Sequence, residues 1–205
     1  GPISISSVVK AALNGVVLAQ NEYEAWSQEW LWMAPEYFTT VSVARQIEKL
    51  TVQEFVTLEH SAKKAIKDAG AIGRGKLHRS IRANGKIDIL LWWGDGTPRA
   101  LIEIKVQVNS FDKIRADIER IEKVLHRNKR NSRIGFGAVV LYASAKSTKQ
   151  VTAKQKLESI LQNIHNGAKN EVNATCNVRL HNSKIVVDQD SAWVAAVLVL
   201  RPKNI

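Results

Sequence analysis

Three charged residues stand where the surrounding pattern wants apolar side chains. Asp88 lies in the run Lys86–Trp93 (KIDILLWW), and Glu103 and Lys105 lie in Arg99–Val108 (RALIEIKVQV). Both runs have strand composition, and side chains two apart on a strand share a face, so Glu103 and Lys105 point the same way. The intervening Gly94-Asp95-Gly96-Thr97-Pro98 suits an antiparallel hairpin, which brings Asp88 towards Glu103 on that face. Neighbouring carboxylates repel unless a cation lies between them, and a buried charge without a partner is costly. A hard divalent ion with oxygen ligands and retained waters, Mg2+ or Mn2+, suits such a pair. A lysine beside it can polarise or help deprotonate a water, or neutralise a phosphoryl oxygen, which is equipment for phosphodiester hydrolysis. Gln107 continues the face, either to orient water or phosphate or as a polar strand end. The competing account is an ordinary ion-pair network on a sheet face.

Asp88 followed fifteen residues later by Glu103-Ile104-Lys105, with a helix before the hairpin and a helix then a strand after it, resembles the PD-(D/E)XK nuclease superfamily. The resemblance covers roughly Pro35–Ala145. It implies a restriction-endonuclease-like α/β fold, with a mixed sheet in α-β-β-β-α-β order. It also implies Asp88 and Glu103 as metal ligands, Lys105 acting on the nucleophile, and a further acid from a core helix. Glu36 is favoured for that acid, as catalytic residue and metal ligand, with Glu59 as competitor. Ile87 stands where the family name has proline, a residue that supplies no ligand. The implied activity is metal-dependent cleavage of nucleic acid, DNA before RNA. The rival from another class is a non-catalytic, basic nucleic-acid-binding module of the same fold.

The elements that must position these residues follow from periodicity. Ile5, Val8, Val9, Ala12, Leu13, Val16 and Val17 predict a helix over Ile5–Ala19; Tyr23, Trp26, Trp30 and Met33 predict a second over Glu22–Met33, its aromatic stripe turned into the core. Pro35 suits the first position of a third helix, with Glu36 in its first turn and Phe38, Val41, Ala44, Ile47 and Leu50 inward. Phe55–Glu59 reads as a strand, against a helix over Thr51–Ala69. Asn84-Gly85 is a hairpin signal that pairs a strand at Leu77–Ala83 with the run from Lys86. Ser110 caps a helix with Phe111, Ile114, Ile118, Ile121 and Leu125 inward and Arg115, Arg120, Lys123 and Arg127 elsewhere. Ile134–Ala145 is a buried strand. A helix over Lys149–His165, stopped by Gly167, and strands near Cys176–Val187 and Ala192–Arg201 complete the chain. This divides into a helical extension (1–34), the nuclease-like core (35–145) and a C-terminal α-β-β elaboration on the same domain (146–205).

Composition bounds the partners. The 205 residues carry 30 Lys and Arg against 19 Asp and Glu, a net charge of +11. Such a surplus favours polyanions, nucleic acid foremost. Lys63, Lys64, Lys67, Arg74, Lys76, Arg79, Arg82 and Lys86 concentrate it before the hairpin, and His126–Arg133 forms a second basic connection. The single cysteine, Cys176, excludes an intrachain disulfide and a zinc-finger cluster, and points to a reducing, cytoplasmic setting. No apolar run reaches the roughly 18 residues of a membrane span, so no membrane partner is expected. The five histidines have no metal-ligand spacing, and no serine-elbow, Walker or dinucleotide motif occurs. Cutting two strands would favour a homodimer, and a regulatory protein partner is the other open possibility. Gly1-Pro2 resembles the scar of a cleaved tag, which leaves the natural N-terminus open.

Overall fold

Strand-forming runs outnumber helices in the middle of the chain, and they assemble into one sheet. In the computed structural model, which describes residues 2–50, 53–71, 73, 75–127 and 132–203, a seven-stranded mixed sheet is flanked by five helices. The strands are β1 (Phe55–Ser61), β2 (Lys86–Trp92), β3 (Pro98–Lys105), β4 (Phe136–Lys146), β5 (Cys176–Asn182), β6 (Val186–Asp188) and β7 (Ser191–Pro202). Their order is β1-β2-β3-β4-β7-β5, with β6 also on β7. Only β3 and β4 are parallel. The crossover between them is α4 (Arg115–His126), as parallel neighbours require. Helices α1 (Ile5–Ser27) and α2 (Glu36–Glu48) share one core with one sheet face; α3 (Ala62–Asp68), α4 and α5 (Ala153–Val172) share another with the opposite face. Gly1, Thr51, Arg74 and residues 128–131 of the second basic connection lie outside the described residues.

Several expectations are corrected. The two N-terminal helices are one helix, α1, followed by a 3-10 turn at Leu31–Met33. Gln20, fully buried, accepts from the Leu31 N–H at 2.9 Å and donates to Glu24, so a polar side chain ties the returning chain to the helix. The aromatic stripe is core only in part: Tyr23 and Trp30 pack half-buried against the core under α1 and α2, whereas Met33 is exposed and Trp26, 62% exposed, packs edge-on against Phe38. Pro35 caps α2 rather than opening it, and the buried face is Thr39, Thr40, Val43, Ala44 and Ile47, while Leu50 lies exposed beyond the helix. Leu77–Ala83 is not a strand. It holds a 3-10 turn at Arg79–Ile81, and β2 pairs instead with β1, six partners from Phe55–Trp92 to Ser61–Lys86. Ser110 makes no capping bond, and α4 begins only after a 3-10 turn at Phe111–Lys113. Gly167 does not stop α5. A Cβ there would lie 2.4 Å from the Phe111 ring, so the glycine serves close packing within the helix. That helix starts at Ala153 behind a Thr152–Gln155 capping box, which leaves Val151 outside and exposed. The strand expected over Cys176–Val187 breaks into β5 and β6.

Candidate active site at the end of strand β3

The β2–β3 ladder pairs Ile89 with Ile102, so one further step sets Asp88 opposite Glu103. There the two strands part, and the Asp88 carboxylate takes over the role of a ladder partner: its Oδ2 accepts from the Ile104 N–H at 2.7 Å. Strand β3 meanwhile stays paired with β4, Glu103 to Val139 and Lys105 to Leu141. Leu90 and Leu101 belong to the core under α4 and α5, so alternation aims Asp88, Glu103 and Lys105 towards that side.

Helices reach this point from both faces. From α4 come Asp117 and Arg120, both buried. Arg120 Nη1 donates to Glu103 Oε1 at 2.7 Å and to the Lys86 carbonyl at 2.8 Å, and its Nε donates to the Ile81 carbonyl at 3.0 Å. Asp117 Oδ1 accepts from Arg82 at 2.6 Å, and its Oδ2 lies 3.9 Å from Lys105 Nζ. From the first turn of α2 comes Glu36, whose Oε1 accepts from Lys105 Nζ at 3.2 Å and whose Oε2 accepts from the Val106 N–H at 3.3 Å. Lys105 therefore stands between two carboxylates carried by helices on opposite faces of the sheet.

Electrostatics separate the roles. Glu103 is pushed up to about 8, first by burial, with Asp88 and Asp117 adding to the rise and Arg120 opposing it. Burial thus favours the neutral acid, while the Arg120 guanidinium, or a cation bound at the site, favours the carboxylate. Burial works against the Lys105 ammonium, but the Asp117 and Glu36 carboxylates outweigh it and hold Lys105 above its ordinary value. Lys105 is thus a fixed positive charge and not a base.

The structure brings Asp88, Glu103 and Lys105 together and sets Glu36 against Lys105. It leaves Glu59 elsewhere, at positive φ and paired with Lys86 at 3.4 Å. Gln107 does not share the Lys105 face. Strand β3 ends at Lys105, Gln107 has φ 57°, and its amide donates to the Trp32 carbonyl at 2.6 Å. Arg120, which helix periodicity placed off the inward face, and Asp117, which the sequence reading does not single out, are both site residues. Their one sequence signal is position, since both border the apolar stripe Ile118–Ile121–Leu125.

A cation here would find hard oxygen donors. Asp88 spends only Oδ2 on the backbone and Glu103 only Oε1 on Arg120. Among the described residues no group of three or more His, Cys, Asp and Glu forms a cage for a metal. That leaves Asp88 Oδ1 and Glu103 Oε2 as the oxygens not engaged by other groups, so an ion bound here would need water and phosphate for the rest of its shell. Among the same residues no helix is long and apolar enough to cross a membrane. Compared with known proteins, the chain matches no family model, no curated protein and no solved structure.

Proposed function

We propose that this protein is a metal-dependent nuclease of the PD-(D/E)XK type, hydrolysing phosphodiester bonds in nucleic acid, DNA first. The observation that carries the reading is the convergence of Asp88, Glu103 and Lys105 on one side of a parting strand pair, with Asp117 behind them. The order α2-β1-β2-β3-α4-β4 also supports it, being that of a restriction-endonuclease-like core with α3 inserted after β1.

Asp88 and Glu103 would hold Mg2+ or Mn2+. Bound there, the ion would supply Lewis-acid polarisation of the phosphate and a more acidic water. Lys105, kept protonated, neutralises charge that grows on a phosphoryl oxygen in the transition state. Glu36 and Asp117 fix its ammonium, so little reorganisation is needed as that charge develops. Asp117 fits the place of the additional acid better than Glu36, because it lies on the sheet face of Glu103 and acts on it electrostatically, whereas Glu36 reaches Lys105 from the opposite face. The half-exposed Trp32 and Tyr37 flank Glu36 in the chain and offer ring faces for bases.

The test is incubation of the protein with linear DNA, circular DNA and RNA in Mg2+, Mn2+ or chelator. The expected result is metal-dependent cutting, lost separately in Asp88→Ala, Glu103→Ala and Lys105→Ala variants that keep wild-type circular dichroism. Cutting at the wild-type rate by all three ends the proposal. One observation favours the binding-only module: Glu103 already has a cation, Arg120, at 2.7 Å. That module would hold nucleic acid with steep salt dependence and cut it with no divalent ion.

A further inference from the structure

A second charged feature lies at the far edge of the sheet. Lys169 near the end of α5, Arg179 on β5, Arg201 at the end of β7 and Lys203 just beyond it line a cleft of about 530 Å3 with no carboxylate among the described residues that line it. Lys203 is engaged locally, its Nζ donating to the Asn173 carbonyl. The side chains of Lys169, Arg179 and Arg201, all exposed, form no ion pair or hydrogen bond among the described residues.

The strand register makes this arrangement costly. Arg179 pairs with Val199 and Asn177 with Arg201, so the two arginines are diagonal neighbours on one face. Like charges so placed repel, and a sheet edge gains nothing from them without an anion. The site is also separate from the candidate active site. Lys105 is level with Leu141 of β4 and, through it, with Ala196 of β7, whereas Arg201 lies five residues further along. Arg179 and Arg201 share the face of Val199, on the α1–α2 side, opposite to Lys105.

We propose that this cleft binds successive phosphates of a nucleic-acid strand, as a docking site apart from the carboxylates. A single nucleotide is a poorer occupant, because no aromatic ring lines the cleft to receive its base. Cations spread across the width of the β5–β7 pair suit a polymer with a repeated charge. The inference does not depend on cleavage.

Binding of labelled mixed-sequence single-stranded and duplex oligonucleotides is measured in chelator, across a salt series, so that no cutting intervenes. Arg179→Glu/Arg201→Glu should weaken binding about tenfold or more and lower the slope of log K against log salt by about 2, equally for all sequences. Arg179→Ala/Arg201→Ala should move both quantities the same way and by less, which guards against a folding defect in the reversed variant. Lys10→Glu/Lys49→Glu, the same charge change at two exposed positions elsewhere, should leave them near wild type. Equal losses in that control, or unchanged affinity and slope in both cleft variants, overturn the proposal. So does pyrophosphate binding that depends on Arg179 and Arg201 while oligonucleotide affinity does not. Wild-type binding through the cleft with no cutting in any metal would sink the nuclease reading and leave the cleft standing.

Discussion

Glu103 carries the sharpest consequence of burial. Its carboxyl is held protonated up to about 8 in the folded protein, against an ordinary value of 4.5. A folded state that binds the proton more tightly than the unfolded chain is stabilised below 4.5, and that contribution is lost as pH rises through 8. Wild-type protein in chelator should therefore lose on the order of 4 kcal/mol, roughly 8–16 °C in Tm, between pH 5 and pH 8.5. Glu103→Gln should flatten that profile; a Gln variant with the same decline refutes the assignment. Asp88, Glu103 and Lys105 were legible in the sequence because a charge inside an apolar strand breaks a period of two. Asp117 and Arg120 were not, because a helix admits polar residues on most of its circumference. Only a strand packed beneath α4 turns those two inward.

Among the elements, the α1–α2 pair sets where Glu36 can stand. Gly15 allows the approach: a Cβ there would lie 2.6 Å from the Val43 Cα, a backbone atom that cannot rotate away. Gly15→Ala should destabilise the protein by about 1–3 kcal/mol despite alanine's better helix propensity, and reduce any cleavage with it. Gly135→Ala, where a Cβ meets nothing within 4 Å, is the matching control in urea unfolding. The positions of α2 and β1 to β4 were readable from periodicity to within about three residues, whereas α5 runs seven residues past its expected end at His165. What misled was local chemistry overridden by pairing: Asn84-Gly85 does turn the chain, but β2 already has β1 along its edge. Similarly, Gly167 looked like a stop when read alone and is a contact when read beside Phe111.

For the whole molecule, an ion held by Asp88 and Glu103 must favour the folded state. Saturating Mg2+ should raise Tm, by about 2.7 kcal/mol of stability at a hundredfold excess over Kd, and Asp88→Ala should abolish the rise. A wild-type Tm indifferent to Mg2+ and Mn2+ counts against the metal site. The net charge of +11 was legible at once, but its layout was not, since the cations of the far cleft come from three separate elements. Strand β7 has a consequence for synthesis. It is an interior strand, hydrogen-bonded along ten positions to β4 and seven to β5, yet it is built from residues 191–202. While the polypeptide emerges from the ribosome, β2 and β3, which bear Asp88 and Glu103, and β4 beside them are complete long before β7, the neighbour of β4, exists. Until residue 202 is available, β4 presents an unpaired edge of apolar residues, and a fragment ending before Ser191 should be prone to aggregate, which light scattering of the truncated chain would show.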